Sequence, residues 1–220
     1  KRFAFVKSLK TATRFSKYER IYFPWQLDFR GRAYPWVTYL SPQGSKNIKA
    51  MLLFANGKPL GDTGARWLAI HGSNCWGEDK VSFDDRVKYI DNMEEEIKAY
   101  ASDPLEHKGW QQADDPWNFL AFCFEWSEYL EQGPSFVSHI SVALDGSNNG
   151  LQHFSAIMRD PEGSRATNII PQEVPEDIYK DVARIVQNKL QQEETAHPYA
   201  QRWLDFGVSR SLTKRPTMVL

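Results

Sequence analysis

Hydrophobic residues recur with helical spacing in several parts of the chain. After a capping box that begins at Ser82, the apolar positions from Val87 to Ala101 share one face of a single predicted helix. A longer apolar stripe keeps the helical period from Ile178 to about Gln192. The same pattern predicts further helices over residues 1–20, 61–75, 148–159 and 199–213.

Three other segments depart from that pattern. A helix that begins at Pro116 is apolar nearly all round from Phe119 to Phe124, which predicts deep burial. The β-branched, apolar run Phe136–Leu144 stops abruptly at Asp145 and predicts a buried strand. Residues 21–39 are rich in aromatic residues and prolines, which is typical of short strands and turns. Together these patterns predict a helix-rich α+β fold.

The distribution of charge is more informative than its sum. A net charge of −1 and a pI near 6.6 do not by themselves favour nucleic-acid binding. However, residues 1–32 contain nine basic residues against two acidic ones, and residues 202–215 contain four against one. Residues 84–131 contain thirteen acidic residues against four basic ones. The two basic stretches would hold a polyanion while the acidic middle faces solvent, or all three are ordinary solvated helix faces.

Several classes of protein are disfavoured by composition. No apolar run approaches the roughly 20 residues that cross a bilayer. The sequence opens with a lysine, and no secretory signal follows. Cys75 and Cys123 fit no zinc-binding spacing, so we expect two buried free thiols in a reducing compartment.

The first chemical motif is the turn VALDGSNNG at Val142–Gly150. A carboxylate at the end of a buried strand is costly unless it has a partner. One interpretation is a helix N-cap, a common role of Asp or Ser at such a position. The other is a divalent metal site, in which the Asp145 carboxylate and the Gly146 carbonyl supply oxygen ligands of the kind that magnesium prefers.

A second motif, RSLTKR, carries closely spaced cations. Arg210 and Lys214 are four residues apart and would project from the same face of a helix, where they repel each other unless an anion lies between them. A triphosphate is such an anion, since Arg binds phosphate bidentately and Lys acts as a point charge and proton donor. The alternative is a solvated helix face.

A third motif, DFRGRAYP, mixes cations with aromatic residues. Arg30, Arg32 and Tyr34 alternate, so on an extended segment they share one face, as suits contacts with a phosphate and a base or sugar. Gly31 would permit close approach of a backbone. The alternative is a surface turn with a structural ion pair between Asp28 and an arginine.

These motifs occur together with several others, and in sequence order the blocks are YFP and DFRGRAYP, SPQG, GKPLG, IHGSNCWGEDK, FLAFCFEW, DGSNNGLQHFSAIMRD and GVSRSLTKRPTM. This series resembles the single-subunit RNA polymerases of the bacteriophage type, a family that also includes mitochondrial and some chloroplast enzymes. The blocks cover nearly the whole chain. The resemblance implies DNA-directed RNA synthesis, by nucleotidyl transfer that two magnesium ions assist.

The resemblance also implies roles for particular residues. Asp145 and Lys214 match catalytic residues, and Asp145 with the Gly146 carbonyl matches the metal ligands. The nucleotide-binding positions are Arg210, Lys214, Arg215 and Tyr179. The positions that contact nucleic acid are Arg30, Arg32 and Tyr34.

The fold implied by the resemblance is part of a right-hand polymerase. Residues 1–174 would form a palm-like region with preceding helices, and residues 175–220 the start of the fingers. The family's second catalytic aspartate lies in a His-Asp-Ser block, and no histidine of this sequence is followed by Asp. We therefore expect a piece that lacks the N-terminal domain and the remaining palm and fingers, and that is inactive by itself.

The implied partners are a DNA template, an RNA transcript and ribonucleoside triphosphates, with no membrane, in a monomeric protein. The implied location is the bacterial host cytoplasm for a phage enzyme, or a mitochondrion or plastid for an organellar one. One alternative is a non-catalytic remnant that only binds nucleic acid. Another is a family A DNA polymerase, which shares the palm and fingers. A carbohydrate-active protein is suggested only by eight Trp and nine Tyr among many acids.

Overall fold

The computed structural model describes residues 2–143, 146–193, 199 and 202, which belong to two units divided between Ala143 and Leu144. The first unit contains α1 (Arg2–Phe15), β1 (Trp25–Leu27), β2 (Ala33–Pro35), α2 (Lys46–Lys49), β3 (Lys58–Pro59), α3 (Gly61–Trp76), α4 (Phe83–Asn92), α5 (Glu94–Ser102), α6 (Pro116–Gln132) and β4 (Val137–Ser138). The second contains α7 (Asn149–Met158), α8 (Pro161–Ala166) and α9 (Ile178–Glu193). The expected helix-rich α+β class is confirmed. The predicted helix over 199–213 lies almost entirely outside the described residues.

The core of the first unit is built from α3, α4, α5 and α6. Its fully buried side chains include Leu68, Ile90, Ile97, Phe119 and Phe122. Burying one such side chain contributes about 1.5–3 kcal/mol. Along α6 the aromatic rings pack in series, with 5.7 Å between the centroids of Phe119 and Phe122.

The sequence predicts one helix after Ser82, and this prediction is wrong in one respect. Ser82 does cap α4, because its Oγ accepts a hydrogen bond from the Asp85 N–H at 3.2 Å. The helix is interrupted at Met93, however, and α5 begins at Glu94. The interruption places Glu94–Glu96 in the first turn of a new helix, where the dipole stabilises negative charge.

Two burial predictions are also corrected. Phe124 is 44% exposed, because α6 packs through the face that carries Phe119, Phe122 and Cys123, and Phe124 lies off that face. Of the predicted strand from Phe136, only Val137–Ser138 forms a ladder, antiparallel to β3. In the described part of the chain, β3 and β4 form a sheet of two strands that no third strand extends. Residues 141–143 are exposed rather than buried.

The two cysteines are free and buried, as expected. Burial raises the pKa of the Cys75 thiol to about 12, and it raises the pKa of Cys123 as well. Both thiols therefore stay protonated at neutral pH and are poor nucleophiles. Among the helices of the described residues, none combines the length and the apolar character that a membrane span requires.

Gly72 allows α3 and α6 to approach closely. A Cβ at this position would lie 2.6 Å from Cε2 of Phe122 and nearer still to two other atoms of that ring. We expect Gly72→Ala to lower the free energy of unfolding by about 1–3 kcal/mol, because the fully buried ring has no space to retreat. Urea denaturation of the 220-residue chain measures the change.

Gly64→Ala is the matched control on the same helix. Its Cβ would meet only the flexible Leu60 side chain, at 3.2 Å from Cδ2. Because alanine also has the better helix propensity, by up to about 1 kcal/mol, this variant should be neutral or slightly stabilised. Equal destabilisation by both variants would contradict the close packing of α3 on α6.

Candidate functional site

The turn before α7 is organised by Asn148. Its Oδ1 accepts a hydrogen bond from the Leu151 N–H at 3.3 Å and so caps the helix. Its Nδ2 donates to the Tyr179 hydroxyl at 3.3 Å. The N-cap of α7 is thus Asn148, within the motif for which helix capping was one interpretation.

The side-chain oxygens of Asn149 and Gln152 lie close to Gly146. A Cβ would collide with Oδ1 of Asn149 and lie 3.2 Å from Oε1 of Gln152. Two amide oxygens thus surround the backbone at this residue. Gly146 and Asn149 are both exposed, so the Asn149 side chain can turn away, and these contacts do not by themselves require glycine.

A second asparagine, Asn168, connects this turn to the segment that enters α9. Its Nδ2 donates to Ser147 Oγ at 2.8 Å and to the Glu176 carbonyl at 2.9 Å. Its Oδ1 accepts from the Glu176 N–H at 2.8 Å. The sequence interpretation did not single out Asn148 or Asn168. A signal for Asn168 was available, because asparagine readily adopts the left-handed backbone and follows the end of α8.

The hairpin of β1 and β2 is tightened by Asp28. The strands pair antiparallel, with Gln26 opposite Tyr34. The Asp28 carboxylate accepts hydrogen bonds from the N–H groups of Arg32 and Arg30, both at 2.9 Å. These bonds, with that of Arg32 the strongest, hold the pKa of Asp28 below its usual value. The carboxylate therefore stays ionised and keeps the turn closed down to acidic pH.

The three hairpin residues do not share one extended face, and this expectation is corrected. Arg30 lies in the turn, where its Nε is 3.3 Å from Asp28 Oδ2. The tight turn is possible because Gly31 has a positive φ of 76°. The predicted alternative of an Asp28–arginine ion pair is thus present. The Arg32 side chain is exposed and Tyr34 is half-buried in β2.

The segment that follows the hairpin is bound to α1. The Ser8 hydroxyl, which is 2% exposed, donates to the Tyr39 carbonyl at 2.7 Å. The Trp36 N–H donates to the Pro24 carbonyl at 2.7 Å and extends the pairing beyond β2.

Comparison with known proteins identifies the family. The family model for DNA-dependent RNA polymerase matches residues 58–220. The chain belongs to the phage-type family of single-subunit RNA polymerases. The motifs around Asp145 and Arg210 lie within the matched residues, and the hairpin precedes them.

Several phage and organellar polymerases are similar to this chain over most of its length. T7 RNA polymerase of Escherichia phage T7 is 41% identical, with 96% of this chain and 27% of that protein aligned. The polymerase of Enterobacteria phage K11 is also 41% identical, over 95% of this chain and 26% of the relative. The mitochondrial polymerase of Schizosaccharomyces pombe is 40% identical, over 91% of this chain and 18% of that protein. The chain thus spans about a quarter of the length of its phage relatives.

The predicted polymerase site is described only in part. Gly146 and Tyr179 lie in the second unit, and Asn148, two residues after Gly146, binds the Tyr179 hydroxyl. Arg30, Arg32 and Tyr34 lie in the first unit. The predicted residues Asp145, Arg210, Lys214 and Arg215 lie outside the described residues.

The donors near Gly146 are of the type that magnesium selects. In residues 2–143 and 146–193, no group of three His, Cys, Asp or Glu side chains is arranged as a metal site. The amide oxygens of Asn149 and Gln152 nevertheless crowd the backbone at Gly146, and the motif adds one carboxylate. An oxygen-only donor set with a single carboxylate suits an ion that takes its remaining ligands from water and phosphate.

Proposed function

We propose that this chain forms part of the catalytic domain of a DNA-directed RNA polymerase, which extends an RNA transcript from ribonucleoside triphosphates on a DNA template. The observation that carries the proposal is the DGSNNG turn, in which Asn148 binds the Tyr179 hydroxyl and the side-chain oxygens of Asn149 and Gln152 lie close to Gly146. The family match over residues 58–220 supports it.

The proposed architecture is part of a monomeric right-hand polymerase. Residues 1–174 correspond to a palm-like region with preceding helices, and residues 175–220 to the start of the fingers. The start of α9 at Ile178, soon after Pro175, is consistent with a new element at that boundary. The relatives include phage, mitochondrial and chloroplastic enzymes, so the proposed location is a bacterial host or one of these organelles.

In the proposed reaction, the Asp145 carboxylate and the Gly146 carbonyl would hold magnesium. Bound magnesium would stabilise the negative charge that develops on the attacking 3′ oxygen and on the leaving pyrophosphate. Lys214 contacts the triphosphate and donates a proton to the leaving group, and two arginines bind its phosphates, Arg210 and Arg215. Tyr179 lies beside the nucleotide.

The β1–β2 hairpin is proposed to hold nucleic acid through Arg30, Arg32 and Tyr34. An exposed guanidinium binds phosphate without regard to base sequence, so its contribution depends on salt. Arg32 is the stronger candidate, since Arg30 is paired with Asp28. The exposed aromatic ring of Phe29, beside Arg30, offers a further stacking surface.

Arg32→Ala should reduce the slope of log affinity for DNA against log salt concentration by about one. Fluorescence anisotropy with labelled DNA, in a full-length polymerase that contains this sequence, measures that slope. Arg30→Ala is the matched comparison and should change the slope less, because Asp28 already competes for its guanidinium. Equal slopes for Arg32→Ala and the unmodified protein would exclude a phosphate contact at Arg32.

RNA extension by the same full-length polymerase tests the proposed function. With a DNA template, magnesium and ribonucleoside triphosphates, we expect elongated RNA, and much less product with deoxyribonucleotides. Preference for deoxyribonucleotides would favour a DNA polymerase. Salt-dependent DNA binding with no extension at any magnesium concentration would favour a non-catalytic binding protein and overturn the proposal.

A further inference from the structure

Asn168 has a backbone conformation that few residues adopt. Its φ is 60°, just after the end of α8, and asparagine and glycine are the residues that tolerate this left-handed region best. The conformation turns the chain so that the amide side chain reaches two separate segments. One is the turn before α7, and the other is the segment that leads into α9.

The amide uses three hydrogen bonds to join these segments. One bond goes to Ser147 Oγ, and the other two pair its donor and acceptor with the backbone of Glu176. The distances of 2.8, 2.9 and 2.8 Å are those of well-formed bonds. The set needs two donor hydrogens and one acceptor, and an ionised carboxylate has no donor hydrogen and a hydroxyl only one, so neither can reproduce it.

Two further bonds cross the same junction. Asn148 Nδ2 donates to the Tyr179 hydroxyl at 3.3 Å. Gln152 Nε2 donates to the carbonyl of Thr167, a fully buried residue, at 2.8 Å. Thr167 precedes Asn168, so α7 is tied to the same corner of the chain. The turn that carries Gly146 and the helix that carries Tyr179 are thus held by side-chain amides.

We infer that Asn168 is a positioning residue that fixes the Gly146–Asn148 turn relative to Tyr179. The inference rests on the proposed function, because the two parts that it aligns are the proposed metal-binding turn and the proposed nucleotide-binding tyrosine. A misplacement of about 1 Å can cost on the order of 100-fold in rate. Groups that orient metal ligands typically contribute about 10–100-fold in metal affinity or activity.

Asn168→Gly is the cleanest test, because glycine keeps the left-handed backbone without strain and removes all three side-chain bonds. Ser147→Ala removes only the acceptor on the turn. In a full-length polymerase that contains this sequence, we expect Asn168→Gly to lower kcat about 10–100-fold. If the two residues act as a unit, the double variant should lose little more than Asn168→Gly alone.

Two readouts separate positioning from a general loss of stability. The magnesium concentration that gives half the maximal rate should rise in Asn168→Gly at a temperature well below the melting transition. Hydrogen exchange of the amides of residues 146–152, measured by mass spectrometry without substrate, should become faster. The second readout does not depend on activity, so it still tests the tether in a protein that fails to polymerise.

Gln172→Ala is the control, since it removes a side-chain bond to the Arg165 carbonyl, of 3.2 Å, in the same connection without touching the turn. It should leave kcat, the magnesium requirement and the exchange of residues 146–152 unchanged. The inference is overturned if Asn168→Gly changes only the melting temperature, or if its exchange over 146–152 equals that of the unmodified protein. If the unmodified protein is inactive but Asn168→Gly still exchanges faster than it over residues 146–152, the proposed function is overturned and the tether is retained.

Discussion

Asp145→Asn should reduce nucleotide addition on the order of 1,000-fold or more in a full-length polymerase that contains this sequence. The substitution keeps the size of the side chain and removes the negative charge that the proposed magnesium site requires. Metal-assisted charge stabilisation is worth several kcal/mol, and each 1.4 kcal/mol corresponds to a factor of about ten in rate. Single-turnover extension of a labelled RNA primer measures the loss.

The control for this prediction is Asp181→Asn, which removes the same charge from α9. Asp181 forms an exposed ion pair with Arg184, at 3.1 Å, and such pairs contribute about 0–1 kcal/mol. Its rate should stay within about twofold of the unmodified enzyme, consistent with so weak a pair. DNA binding should be retained in both variants. A loss of DNA binding by Asp145→Asn as large as its loss of rate would argue against a metal-binding role.

Arg86→Met should lower the free energy of unfolding by roughly 3 kcal/mol or more. Arg86 is 5% exposed, and its guanidinium donates to Asn74 Oδ1 and to the Asp79 carbonyl, both at 2.8 Å. It also donates to the Val81 carbonyl at 3.1 Å. Methionine fills similar volume but removes three hydrogen bonds from a charged donor, and a hydrogen bond to a charged group contributes about 1.5–3 kcal/mol.

Urea denaturation of the 220-residue chain tests this expectation, with Arg66→Met as the control. Arg66 pairs with Asp84 at 2.7 Å, but both side chains are largely exposed, so its loss should cost less than about 1 kcal/mol. A similar shift in both variants would show that Arg86 stabilises the chain only as a surface charge. A larger shift for Arg86→Met confirms that it joins the loop before α4 to α3.

Local pattern was sufficient for most helices. The structure confirms the helix α9 that the apolar period predicts, although Val182 and Ile185 of that stripe are exposed, and it confirms the cap of α4 at Ser82. Pro116 likewise begins α6 as predicted, because proline suits the first turn of a helix. The family assignment also depends on short motifs that can be recognised without coordinates, and the comparisons confirm it.

Predictions failed where a choice depended on distant partners. The run Phe136–Leu144 has strand-forming residues, yet a strand is buried only if other strands and layers cover it, and β3 pairs with two residues. Phe124 is as apolar as Phe122, but only Phe122 faces Gly72 of α3. Arg30 alternates with Arg32 in sequence, but the carboxylate of Asp28 draws it into the turn.

The sequence by itself determined the family, most of the longer helices and the positions of the proposed catalytic motifs, because each depends on residue types within a short stretch. Only the tertiary structure decided which faces are buried and that Asn168 joins Ser147 to Glu176, 21 and 8 residues away along the chain. The reason is physical: the orientation and distance of a hydrogen-bonding amide are set by the backbone between its partners, and no local pattern encodes that path.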